Sequence, residues 1–190
     1  MNDKIQDQIG TVHDNSICHS TKTMWLLGSI DREQRDKALY NLHALDQQSG
    51  EVTIVMSSDG GSVSYGLDIV DAIRAMKNFV RIIAYGEVAS MASVIFQAAD
   101  TGRRFMMPNS YLMLHEGESG TVGKKKDRKE WNRLLNWHDK KCIEMYMEKI
   151  TEKKKNYTEK LLENKLDKDW ILFPEEAIEW GLCDKILETY

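Results

Sequence analysis

The segments SSDGGSV at 57–63, GEVASMAS at 86–93 and YLMLHEGESG at 111–120 decide how this chain is read. Each follows or contains an apolar run, and each carries one part of a serine-nucleophile site. A serine hydroxyl is a poor nucleophile at neutral pH, so such a site needs a base within hydrogen-bond reach and donors aimed at the developing oxyanion. Ser90 stands where the strand pattern Phe79 to Tyr85 turns through Gly86 into a helix of small residues, so its hydroxyl and the Met91 amide can both face a carbonyl. Gly60 and Gly61 supply main chain without side chains, free to lie against a ligand. His115 ends a third strand and is the candidate base.

Working outward, EVTIVM at 51–56 is β-branched and almost wholly apolar, as a parallel strand covered on both faces should be. Val63, Leu67, Val70, Ile73 and Met76 follow at helical spacing, and Phe79 to Tyr85 returns as a strand. The unit repeats. A helix from Ser90 to about Ala99 leads to a strand at Arg103 to Met107, and Pro108 and Asn109 turn the chain into Ser110 to His115. This alternation predicts an α/β fold with a mainly parallel sheet. Ligands bind beyond the carboxyl ends of such strands, and Gly60, Ser90 and His115 each stand at or just past one.

TMWLL at 23–27 reads as a further buried strand, and Asp31 caps a helix with Ala38, Leu39, Leu42 and Leu45 on one face. Residues 1–22 are polar and read as an irregular arm, so residues 23–190 form the single domain. From Lys124 to about Ile150 the pattern is one long amphipathic helix, with Trp131, Leu135, His138, Cys142, Met145 and Ile150 on its stripe. That stripe needs a partner surface. A shorter helix over Thr158 to Leu166, a last one opened by Pro174 and closed by Gly181, and an edge strand within DKILE at 184–188 complete the chain.

A chain of 190 residues with 42% hydrophobic content buries one core. No apolar run approaches the ~20 residues of a membrane span, and MNDKIQDQIG has no apolar signal region, so a soluble, cytoplasmic protein is expected, with no membrane partner. Cys18, Cys142 and Cys183 are odd in number and widely spaced, which argues against disulfides and zinc. Net charge is −4, but residues 124–168 hold 15 Lys and Arg against 9 Asp and Glu. The signs are mixed at helical spacing without an aromatic stacking platform, so the segment reads as a solvated helix or subunit contact and no nucleic acid is expected. His115 to Ser119 gives H-E-x-x-S, without the second ligand of a zinc protease. GESGTVGKKK at 117–126 fails as a phosphate loop, since Glu118 and Lys125 stand where Gly and Ser or Thr belong. V-A-S-M-A around Ser90 lacks the glycines of the G-x-S-x-G elbow. His13, His19, His43 and His138 read as structural or solvated, and no cofactor is expected.

Taken together, GG at 60–61, ASMAS at 89–93 and LMLH at 112–115 resemble the proteolytic subunit of the Clp protease, including phage-encoded versions. The spacings agree, with 29 residues from Gly61 to Ser90 and 25 from Ser90 to His115, and the similarity runs from about Trp25 to Leu187. The resemblance implies a spiral of repeated ββα and βαβ units of the Clp and crotonase type, with the long helix projecting as a handle. It implies a serine endopeptidase in which Ser90 attacks, His115 moves the proton, and the Gly61 and Met91 amides bind the oxyanion. EEAIEWGLCDKIL at 175–187 matches the family's ending and places Asp169 on its catalytic aspartate. Asp167, two residues earlier and on the same side of an extended segment, is the other candidate, and Asp184 falls on a non-catalytic position. Peptides or unfolded proteins are the implied substrates, inside a homo-oligomer of stacked seven-membered rings fed by a separate ring ATPase. A phage capsid or scaffold maturation protease of the same fold is one alternative. A catalytically silent ring subunit is another, but it should lack Ser90 or His115. Asp59 stands where the family commonly has proline, and Glu116 and Gly117 where it has Gln and Pro.

Overall fold

The computed structural model describes residues 12–117 and 128–188. The start of the arm, the Lys124 to Lys126 run and the expected first turn of the long helix lie outside the described residues. In chain order the elements are β1 (Ile17–Cys18), β2 (Thr23–Leu27), α1 (Arg32–Asp46), β3 (Val52–Ser58), α2 (Val63–Arg74), β4 (Val80–Ala89) and α3 (Met91–Phe96). There follow β5 (Arg104–Met106), β6 (Tyr111–Leu114), α4 (Arg128–Lys153), α5 (Glu159–Leu166), β7 (Trp170–Leu172), α6 (Pro174–Glu179) and β8 (Lys185–Ile186).

The strands form one sheet in the order β1-β2-β3-β4-β5-β8, with β6 branching from β4 and β7 from β6. Every pairing is parallel except β1 with β2 and β6 with β7. Leu26, Met56, Ala84 and Met106 lie in one row across four strands, and all four are fully buried. Continuous apolar strands therefore occupy the middle of the sheet, as their composition requires. The edge strand expected near the C-terminus is β8, which pairs with β5.

β4 positions the site. Its first half, at Ile82 to Ala84, pairs with β5, and its second half, at Glu87 to Ala89, pairs with β6. Gly86 lies between the two halves at φ 52°, a backbone turn that glycine makes without steric cost. The strand thus changes neighbour in mid-course and carries Ser90 beyond the main sheet, next to the end of β6.

Two local expectations differ from what forms. The described part of the arm is not irregular, because Ile17 and Cys18 pair with β2 and Asn41 of α1 donates to the Asn15 carbonyl at 2.8 Å. On α2 the buried face is Gly66, Ile69, Val70 and Ile73, with Leu67 only half-buried. The helix is rotated so that Gly66, which has no Cβ to obstruct it, lies against the Met91 side chain. In α4 the buried residues are Met145, Tyr146, Lys149 and Ile150, all in the second half. Trp131 and Trp137 remain about half exposed, at 52% and 50%.

Candidate active site

Ser90 joins β4 to α3 with φ 51° and ψ −127°, outside the regions an L residue ordinarily occupies. Strained backbone of this kind persists only where its surroundings hold it. Here the Ser90 N–H donates to the Met113 carbonyl on β6 at 2.8 Å, and the Ser90 carbonyl accepts from the Ser93 N–H at 2.9 Å. The result is a sharp strand-to-helix turn with the serine at its apex, although the glycines that usually announce one are missing. Small neighbours take their place: a Cβ on Gly60 would lie 2.7 Å from both the Ser90 Cβ and the Ala89 carbonyl oxygen.

β4 and β6 run parallel, with Ala89 opposite Met113, so their carboxyl ends coincide. This brings together residues 25 apart in sequence, and the His115 Nε2 lies 2.7 Å from the Ser90 Oγ. Both side chains are partly buried. The glycine loop is fixed beside them: the Gly60 N–H donates to the Ser58 Oγ at 3.1 Å, and the Asp59 carboxylate accepts from the Ser29 hydroxyl at 3.0 Å. Ile30 bridges to Gly61 in parallel fashion through the Gly60 carbonyl (2.6 Å) and the Ser62 N–H (2.9 Å), so the Gly61 N–H is turned to the other side. The Met91 N–H opens α3, where the first amides have no intrahelical acceptor.

A cavity of about 480 Å³ opens from this point, lined by Ser90, Met91, His115, Asp139, Tyr146 and Asp167 among others. Its far wall comes from α4 and α5. Burial holds the Asp139 carboxyl above its ordinary range. Burial, with the Asp139 charge adding, pushes the Cys142 thiol in the same wall up to about 12, so it stays protonated at neutral pH.

The three carboxylates singled out in the sequence fall in different settings. Asp167 ends α5 in the αR conformation and not in an extended segment, and it lines the cavity. Asp169 is exposed, outside the cavity lining, and leads into β7. The β6–β7 register ends with Leu114 opposite Trp170, so that Asp169 and His115 are the residues next to the last pair on each strand. Neither carboxylate hydrogen-bonds His115 in this structure. Asp184 is occupied elsewhere, bound to the buried Arg104 through Nε at 3.1 Å and Nη2 at 2.6 Å. β7 is anchored by aromatic contacts, with Trp170 edge-on to Trp180 at 4.8 Å and the Lys165 ammonium 4.5 Å from the Trp170 ring.

A family model for Clp protease matches residues 10–190. The chain belongs to the Clp protease family. It is 33% identical over 162 residues to the ATP-dependent Clp protease proteolytic subunit of Deinococcus radiodurans, covering 84% of this chain and 76% of the relative. It is 30% identical over 169 residues to the chloroplastic ATP-dependent Clp protease proteolytic subunit 3 of Arabidopsis thaliana, covering 88% of this chain and 53% of that longer relative. The α/β architecture is the one expected of a Clp protease, and a peptidase activity follows from the membership. What sequence pattern did not show in this Clp protease chain is the share of α4 and α5 in the cavity. Nor did it show the contact of Tyr146 with Ser93, because residues 53 apart on two helices share no periodic signal.

Proposed function

We propose that this chain is a serine endopeptidase whose nucleophile is Ser90 and whose base is His115. The observation that carries the reading is the 2.7 Å contact between the Ser90 Oγ and the His115 Nε2 at the mouth of the cavity. In this reading the Ser90 Oγ attacks the peptide carbonyl as His115 takes its proton, and His115 later gives that proton to the leaving amine. The Gly61 and Met91 amides receive the oxyanion. The turned-away Gly61 N–H and the Met91 N–H at a helix start, 3.0 Å from a Cβ built on Gly60, support that assignment. Asp169 is assigned as the group that orients His115, supported by the β6–β7 register. Cys142 does not compete as nucleophile, since burial keeps its thiol protonated.

Substrates in this reading are peptides and unfolded proteins, cleaved inside a closed homo-oligomer of stacked rings served by a separate ATPase, as the family resemblance implies; the names of the relatives add that they are proteolytic subunits of ATP-dependent proteases. The half-exposed Trp131 and Trp137 on the first half of α4 support a ring-to-ring contact there, since exposed aromatics in series favour a partner surface. The test is a fluorophosphonate probe together with a fluorogenic peptide. The wild-type chain should be labelled and active, and Ser90→Ala should be neither while keeping its fold and its mass in solution. Turnover by purified Ser90→Ala at the wild-type rate would overturn the assignment.

A further inference from the structure

The Ser90 carbonyl accepts two hydrogen bonds from one residue, the Ser93 N–H at 2.9 Å and the Ser93 Oγ at 2.7 Å. The Ser93 hydroxyl has one hydrogen, and it is committed to that carbonyl. The Tyr146 OH lies 2.7 Å from the same Oγ, so in this pair the phenol is the donor. Ser93 is fully buried and Tyr146 is 2% exposed, and burial raises the phenol above its ordinary range, so it keeps its proton. A one-way chain therefore runs from α4 through α3 to the turn that carries Ser90.

The consequence lies in one peptide plane. The Ser90 carbonyl and the Met91 N–H belong to the same planar trans peptide, in which C=O and N–H point in opposite directions. Holding the carbonyl inward toward Ser93 and Tyr146 aims the Met91 N–H outward, on the side of the Ser90 hydroxyl and the glycine loop. Ser90 itself sits at the strained φ of 51°, so the turn depends on contacts such as these to hold it.

We infer that Ser93 and Tyr146 are positioning residues that orient the Met91 oxyanion donor, so that the long helix α4 sets the competence of the nucleophile turn. This rests on Ser90 being the nucleophile. A donor loses its value in the transition state before it affects ground-state binding, so the expected signature is a fall in kcat with KM unchanged.

The experiment compares Tyr146→Phe, Ser93→Ala and the double variant with the wild-type chain. Peptide kcat and KM, affinity for a peptide boronate that forms a tetrahedral adduct, and the thermal midpoint are measured. Tyr146→Phe keeps the ring, so cavity shape and helix packing are retained. Its kcat and boronate affinity should fall about tenfold, the order expected for one buried hydrogen bond. Ser93→Ala should lose between that and the roughly 10² of a lost oxyanion donor, and the double variant should lose no more than Ser93→Ala. Wild-type kcat in both single variants, or a rise in KM equal to the loss in kcat/KM, overturns the inference. Additive losses in the double variant also overturn it, since the two residues would then act separately. If Ser90→Ala is itself active, the underlying serine assignment has failed. If Ser90→Ala is silent while Ser93→Ala and Tyr146→Phe run at the wild-type rate, only the positioning role has failed.

Discussion

Gly60→Ala separates the two reasons a glycine can be required. Gly60 has φ 95°, and a Cβ there would lie 2.7 Å from the Ala89 carbonyl oxygen, 2.7 Å from the Ser90 Cβ and 3.0 Å from the Met91 nitrogen. Gly102 has a similar φ of 78°, but a Cβ there would meet nothing within 4 Å. Both substitutions incur the strain of an L side chain at positive φ, about 1–2 kcal/mol. Only Gly60→Ala must also separate two backbone segments by about 0.7 Å to restore an ordinary contact of 3.4 Å. Those segments are the glycine loop and the Ser90 turn, which carry the two oxyanion amides and the nucleophile in the proposed mechanism. A misplacement of about 1 Å in a catalytic constellation can cost about 10²-fold in rate. Peptide turnover by Gly60→Ala should therefore fall about 30- to 100-fold, a range scaled from that figure. Gly102→Ala should keep nearly full activity with a comparable backbone penalty in urea unfolding. Equal activity in the two variants would refute the close-approach argument and leave backbone strain as the only role of Gly60.

Asp184→Ala should destabilise strongly without touching the chemistry, because it strands Arg104, whose side chain is 3% exposed. Breaking a buried pair costs about 3–5 kcal/mol, and at 20% exposure of Asp184 the lower end applies, a fall of about 6–12 °C in the thermal midpoint. A shift below 2 °C would show that water replaces the carboxylate. Asp139→Asn should stabilise at pH 7 and not at pH 3. A carboxyl raised above its ordinary value of 3.8 opposes folding only once ionised, so the penalty is absent below that value and grows as pH rises through the folded one. An equal gain at both pH values would mean that burial of the charge is not the cause. Asp169→Asn should cut turnover by up to about 10⁴-fold, as losing the carboxylate behind a histidine base can, while Asp167→Asn should change it little. The opposite ranking in steady-state kinetics would transfer the role to Asp167.

Much of the fold was written locally. EVTIVM and the Phe79 to Tyr85 run declare buried parallel strands because only apolar, β-branched segments can be covered on both faces, and the observed β3 and β4 take in all but the first residue of each run. The Asp31 cap was legible too, since a carboxylate at that position satisfies a free amide, here that of Gln34 at 2.8 Å. Serine and histidine could be proposed from sequence because each ends a strand, and strand ends of a parallel sheet share one edge. Their contact needed the sheet itself: β4 must change partner at Gly86 before its end can meet that of β6. The carboxylates show the limit of reading along the chain. Asp167 and Asp169 look equivalent in an extended segment, but α5 runs up to Leu166 and gives Asp167 a helical backbone, while β7 begins only at Trp170. The Tyr146 to Ser93 chain was beyond sequence altogether. A hydrogen bond between two helices depends on how they are rotated and stacked, and that is decided by the whole core rather than by any period within either segment.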